Sequence, residues 1–178
     1  SVASARRWDA IAGIVAAHRA EGRTVLLVCS AVGGTSDRLE HILAHIADPS
    51  AVDATLAEVL GAHRRLARAR DLDCDVLLGD LVERLEQMVQ GMHLLREVSP
   101  RSRATFLAMG ELMSTRLGAA TLAARGIGGR WLDARALLEA ETEHGLTDGT
   151  RYLSATCSYA LDPPTRRVVD EAGPVAVT

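Results

Sequence analysis

Two kinds of hydrophobic spacing alternate along this chain. Residues 3–20 place Trp8, Ile11, Ile14, Val15 and His18 at helical intervals, and Glu21-Gly22 closes the pattern. The period then disappears. Thr24-Val25-Leu26-Leu27-Val28-Cys29 is a continuous, partly β-branched apolar run, the signature of a strand covered on both faces of a parallel sheet. Ser30-Ala31-Val32-Gly33-Gly34-Thr35-Ser36-Asp37 follows as a Gly-rich loop, and Ser36 or Asp37 is positioned to cap a helix carrying Leu39, Ile42, Leu43 and Ile46. Ligands of open α/β sheets bind beyond the carboxyl ends of strands, which makes this loop a candidate site.

From Asp48-Pro49 to Pro100 the spacing is helical throughout. Val52, Leu56, Val59, Leu60, His63 and Leu66 form one stripe, and Val76, Leu77, Leu81, Leu85, Met88, Val89, Met92 and Leu95 form another. The polar Arg70-Asp71-Leu72-Asp73 segment between them predicts a helical hairpin on one side of the sheet, whose stripes would also suit a dimer seam. Ser99-Pro100 breaks the pattern ahead of another short helix.

The segment 104–135 carries the densest signal. Gly110 is read as a turn and Glu111 as the opening of a helix whose apolar face is Leu112, Met113, Leu117, Ala120, Leu122 and Ala123, ending at Gly126. In that reading Glu111 and Ser114 lie at a helix N-terminus, where free N–H groups and the helix dipole hold polar side chains stiffly. After Gly128-Gly129, Arg130-Trp131-Leu132-Asp133 reads as a short strand, with Asp133 capping a helix that begins at Ala134. Residues 139–148 are predicted to be a loop or short edge strand, and 150–161 a weak helix. Asp162-Pro163-Pro164 is read as an interruption, and Gly173-Pro174-Val175-Ala176-Val177-Thr178 as the start of a buried strand.

Length and composition narrow the class. The 178 residues, 48% apolar and 24% charged, suffice for one domain with a real core. No apolar run approaches the roughly 20 residues that a bilayer helix needs, and Ser1-Val2-Ala3-Ser4-Ala5-Arg6-Arg7 lacks the apolar core of a signal peptide, so the expected compartment is the cytoplasm. Cys29, Cys74 and Cys157 are widely spaced without a C-x-x-C pair, which predicts reduced, mostly buried thiols rather than disulfides or a zinc knuckle. A net charge of −3 argues against a general nucleic-acid binder. The basic run from His63 to Arg70 reads as the solvated face of a helix.

Among chemical candidates, the Ser30–Asp37 loop gathers backbone N–H groups and hydroxyls suited to an anion or a carboxylate, yet it matches neither standard nucleotide fingerprint. His41 and His45 are four apart on a helix but lack a third metal ligand in register, and His18, His63 and His93 fall on or beside apolar stripes. Ser114 has no G-x-S-x-G context, which disfavours a nucleophilic hydrolase. Asp133 suits either a simple cap or a supporting role near a substrate.

Taken together, Gly110-Glu111-Leu112-Met113-Ser114-Thr115, a helix closing at Ala124-Arg125-Gly126, and Arg130-Trp131-Leu132-Asp133-Ala134-Arg135 resemble the aspartokinase branch of the amino acid kinase family, in which a GE[LR][LM]S segment lies at the amino-acid substrate. Leu27-Val28-Cys29-Ser30 through Asp37 is similar to the family's VVSAMAGVTD. Ser1-Val2-Ala3-Ser4 resembles the tail of its KFGGTSVxS motif, and Val175-Ala176-Val177-Thr178 the strand preceding its QGFIG and GRGGSD segments.

The resemblance implies an α/β fold, a mainly parallel sheet sandwiched by helices, with residues 1–178 as the amino-acid-binding portion of an incomplete catalytic domain with a helical hairpin insertion. The nucleotide-binding half and ACT domains would lie beyond Thr178. It also implies ATP- and Mg²⁺-dependent phosphorylation of the β-carboxylate of L-aspartate, at the start of lysine, threonine and methionine synthesis; the two apolar stripes of the hairpin add the expectation of a homodimer or higher homo-oligomer. Fusion to a second enzyme, diaminopimelate decarboxylase or homoserine dehydrogenase, is compatible with it. Ser30 and Ser36 would contact the substrate's carboxylates and Glu111 its ammonium group, with Thr35, Ser114 and Asp133 as supporting residues. No catalytic, nucleotide-binding or metal-binding residue is expected within this piece, so turnover by the piece alone is not expected. Two rivals are weighed beside this reading: another amino acid kinase acting on glutamate, acetylglutamate or carbamate, and a non-catalytic amino-acid-binding or dimerisation module.

Overall fold

The computed structural model describes residues 2, 4–138, 140, 145–157, 160 and 162–178. Helix α1 (Ala5–Ala20) starts on the Ser4 cap, whose hydroxyl accepts from the Arg7 N–H. Strand β1 (Val25–Leu27) leads through the Gly-rich loop into α2 (Thr35–Ala44). The hairpin of α3 (Pro49–Arg68) and α4 (Cys74–Leu95) follows, each helix capped by an aspartate, Asp48 and Asp73. Helix α5 (Pro100–Ala124), β2 (Arg130–Trp131), a 3₁₀ turn (Ala134–Ala136), α6 (Asp148–Leu153), α7 (Pro163–Glu171) and β3 (Val175–Val177) complete the order.

The three strands are parallel, in the order β1-β3-β2, with Leu26 opposite Ala176 and Trp131 opposite Val177. The last strand in the chain is therefore the central one. Helices α1 and α5 cover one face through Ala12, Val15, Ala119 and Leu122 against Val175 and Val177. On the other face α7 brings Val169 and Ala172 against Leu132 and Ala176. The expectation of a strand buried on both sides fails at β1, an edge strand of this sheet, where Leu26 is 46% exposed and Val28, just beyond it, 73% exposed. The main core lies in the helical layer, where Leu39, Leu85, Phe106 and Met113 close around α5. The hairpin packs on α2 and α5, so α5 stands between most of it and the sheet.

Four boundaries differ from the sequence reading. Helix α5 runs without a break through Gly110, launched ten residues earlier by Pro100 in its first turn and by Ser99, whose Oγ accepts from the Ser102 N–H at 3.2 Å. Glu111 is thus mid-helix, and the N-terminal dipole argument does not apply to it or to Ser114. Helix α2 starts from Gly34 at φ +76°, so neither Ser36 nor Asp37 caps it; both sit in its first turn. The helix expected over 150–161 instead begins at Asp148, capped by Thr147, and ends at Leu153. Asp162-Pro163-Pro164 does not interrupt the chain but starts α7, with the Asp162 carboxylate accepting from the Thr165 N–H at 3.1 Å.

In the expected loop, Ala140 makes an isolated antiparallel bridge to Cys157, while 139 and 141–144 lie outside the described residues. All three cysteines are free, but none is fully buried, and Cys157 is exposed. Arg64, Arg65 and Arg68 form the predicted solvated face, whereas Arg70 turns inward to Asp9 at 2.7 Å and to the Ala5 carbonyl. Among the described residues no helix is long and apolar enough to cross a membrane.

Candidate functional site

A parallel sheet sends all its carboxyl ends to one edge, and three sequence-predicted segments converge there. Ser30 follows β1, Asp133 follows β2, and Thr178 follows β3, with the Cys29 N–H donating to the Thr178 carbonyl at 2.9 Å and the Leu132 N–H to the Val177 carbonyl at 2.9 Å. Helix α5 closes the side of this edge. Gly110 is what lets it approach: a Cβ placed there would lie 3.1 Å from Ala31 Cβ, 3.2 Å from Thr35 Cγ2 and 3.3 Å from Leu39 Cδ1. The glycine predicted to turn the chain instead lets helix and loop touch, and the residues next to these contacts are Ser30, Ser36 and Glu111.

Ser30 and Ser36 are exposed and Glu111 is partly buried, and among the described residues none of the three side chains takes part in a hydrogen bond or ion pair. An unpaired carboxylate accepts hydrogen bonds and an unengaged hydroxyl both donates and accepts them, which is the chemistry a polar guest needs.

The supporting candidates divide. Thr35 is 1% exposed and anchors the loop with its methyl against Gly110. Ser114 is fully buried on the same face of α5 as Gly110 and Gly118, and its Oγ has no partner among the described residues. Asp133 is a cap as predicted, accepting from the Arg135 N–H at 3.0 Å, but of a short 3₁₀ turn (Ala134–Ala136) where a helix is expected. It also binds the Arg135 guanidinium at 2.7 Å, which holds its carboxyl below the usual carboxylate range.

Two residues that the sequence reading passed over connect the site to the sheet. The Trp131 indole N–H donates to Thr115 Oγ1 at 2.9 Å, and the Thr115 hydroxyl donates to the Glu111 carbonyl at 2.8 Å. Arg116 lies over the Trp131 ring, 4.6 Å from its centre, and is paired with Asp80 at 2.5 Å; that pairing lowers the Asp80 pKa. Period and motif carry no trace of this link, because it joins a helix to a strand across a turn. On the far side of the loop an open cleft of about 570 Å³ is lined by Gly34, Asp37, Arg38, His41, Thr55 and Glu58, with Arg38 and Glu58 paired at 2.8 Å. His41 and His45 stack with ring centres 4.0 Å apart, and no group of three or more metal-ligating side chains occurs among the described residues.

Comparison with known proteins follows the same lines. The profile of the Amino acid kinase family matches residues 1–168. The chain is 30% identical over 139 residues to Aspartokinase 1, chloroplastic, of Arabidopsis thaliana, covering 75% of this chain and 24% of that protein. It is 31% identical over 166 residues to the aspartokinase of Schizosaccharomyces pombe, covering 80% and 30%. The fold matches the crystal structure of E. coli aspartokinase III in complex with aspartate and ADP, with a TM-score of 0.73 at 18% identity over 99% of this chain and 37% of that one. The chain thus spans between 24% and 30% of the length of these two curated relatives.

Proposed function

The chain belongs to the amino acid kinase family, and from that premise we propose that it forms the amino-acid-binding part of an aspartate kinase. The reaction joins a β-carboxylate oxygen of L-aspartate to the γ-phosphorus of ATP and releases ADP, giving 4-phospho-L-aspartate. In this reading the protein acts in the cytoplasm as a homo-oligomer at the entry to lysine, threonine and methionine synthesis.

The observation that carries the reading is the unpaired, partly buried carboxylate of Glu111, carried by the helix that Gly110 allows into close approach with the Ser30–Ser36 loop. An amino acid with a second carboxylate offers the complement. Its ammonium group pairs with Glu111, and its carboxylates accept from Ser30 and Ser36. Curated relatives at about 30% identity bear the name aspartokinase, and the fold neighbour holds aspartate and ADP, both in line with this assignment. ATP and Mg²⁺ are the family's co-reactants. The described residues bring no three His, Cys, Asp or Glu side chains together for a cation, so no step through the metal is assigned to this chain.

Ligand that binds only the folded state raises its stability, by about 2.7 kcal/mol at a hundredfold excess over Kd. L-aspartate is expected to raise the melting temperature of the chain and L-glutamate to leave it nearly unchanged; equal shifts would overturn the substrate assignment. Glu111→Gln is expected to weaken L-aspartate binding by about 10- to 100-fold in calorimetry, the worth of a charged hydrogen bond.

A further inference from the structure

Trp131 presents its one hydrogen-bond donor to Thr115, one helical turn beyond Glu111, and that geometry has a directional consequence. Because Thr115 Oγ1 accepts from the indole at 2.9 Å, its own proton must go elsewhere; the carbonyls of Glu111 at 2.8 Å and Leu112 at 3.3 Å are within reach. Thr55, Thr105 and Thr121 make the same bond to the carbonyl four residues back; at Thr115 the indole adds a second bond to the hydroxyl and so ties the 111–115 turn to β2. The ring itself is held from outside, since Arg116 lies 4.6 Å above it and is tied to Asp80 at 2.5 Å. Trp131 in turn belongs to β2, whose register with Val177 of β3 sets its height at the carboxyl edge of the sheet.

We propose that Trp131 is a positioning residue for Glu111: through Thr115 it locks the 111–115 turn of α5 to the sheet and so sets where the carboxylate stands relative to the Ser30–Ser36 loop. The proposal rests on the reading that Glu111 receives the ammonium group of the amino-acid ligand, and it adds a determinant of specificity to that site. A misplaced carboxylate costs the ligand its ammonium contact and leaves its carboxylate contacts intact, so the effect is selective.

The test compares L-aspartate with succinate, which has the two carboxylates without the ammonium group, by titration calorimetry on the 178-residue chain. The native chain prefers L-aspartate, and Glu111→Gln removes that preference. Trp131→Phe keeps a ring beneath Arg116 but deletes the donor, and it should reduce the preference by about 3- to 10-fold, the range of one net hydrogen bond. Thr115→Val should do the same, Thr115→Ser should retain the native preference, and the Trp131→Phe/Thr115→Val pair should lose no more than either alone. Equal losses for both ligands would reduce Trp131 to a packing residue, and native preference in both Trp131→Phe and Thr115→Val would overturn the proposal while leaving the Glu111 reading intact. No preference in the native chain, or a preference that survives Glu111→Gln, would overturn the Glu111 reading and the proposal with it. Should Trp131→Phe fail to fold, Thr115→Val breaks the same link from the helix side and decides the question alone.

Discussion

In the helical layer Leu39, Ile42, Leu85, Phe106 and Met113 are fully buried and the hydroxyl of Thr121 is satisfied by the Leu117 carbonyl at 2.7 Å, whereas at the carboxyl edge of the sheet Val28 is 73% exposed and Ser30, Ser36 and Glu111 have no partner among the described residues. The two regions share α5, which supplies a buried aromatic to one and a free carboxylate to the other. The difference teaches where free energy is stored. Burial in the layer stabilises the fold, while the exposed hydroxyls at the edge are met by water and contribute little to it.

The sharpest break in this comparison comes from two glycines on one face of α5. A Cβ on Gly118 would collide with the ring of the fully buried Trp8, so Gly118→Ala is expected to destabilise by about 1–3 kcal/mol, seen as a lowered urea midpoint. A Cβ on Gly110 would meet its neighbours at 3.1 to 3.3 Å, and the better helix propensity of alanine, about 1 kcal/mol, offsets the crowding. Gly110→Ala should therefore leave stability nearly unchanged and weaken L-aspartate binding by moving the loop. If the two variants lose equal stability and neither affects binding, the functional division of α5 is wrong.

His63 tests the layer's tolerance for charge. Its Nδ1–H donates to the Val59 carbonyl at 2.8 Å, its Nε2 is buried without a partner among the described residues, and burial pushes its pKa below the ordinary 6.5. The unfolded chain then takes up a proton near pH 6.5 that the folded chain refuses, so this contribution to stability is present above that pH and lost as the pH falls through it. Stability should drop as the pH is lowered from neutral through that value, measured by denaturant titration, and His63→Leu should flatten the drop. The smallest effect is expected at the edge itself. Val28→Ser removes an exposed side chain and should change stability by no more than about 0.5 kcal/mol; a larger loss would mean that this face is covered in solution.

Much of the scaffold is legible in the residue pattern. The aperiodic run at 24–29, the stripes of α3 and α4, the RWLD strand and the final VAV strand all reappear as elements, because each is a local preference repeated over several residues. Local pattern misleads where one residue type has two uses. Gly110 suggests a turn, yet a helix already launched by Ser99 and Pro100 absorbs a glycine when the missing Cβ lets α5 approach the loop. Pro163 and Pro164 suggest a break, yet beside the Asp162 cap they sit in the one turn of a helix whose N–H groups need no partner. For Glu111 the helix-dipole argument does not apply: the residue lies inside α5, away from either terminus.

By itself the sequence determined the α/β class, the strands, the α3–α4 hairpin and the two segments, SAVGGTSD and GELMST, that touch at Gly110, since period, capping residues and motif spacing are written along the chain. The tertiary structure alone decided that β3 is the central strand, that Thr35 packs its methyl on Gly110 and Asp133 pairs with Arg135, and that Trp131 reaches the turn of Glu111 through Thr115. Those facts depend on which surfaces close against each other, and a hydrogen bond between a strand and a helix leaves no period in the sequence.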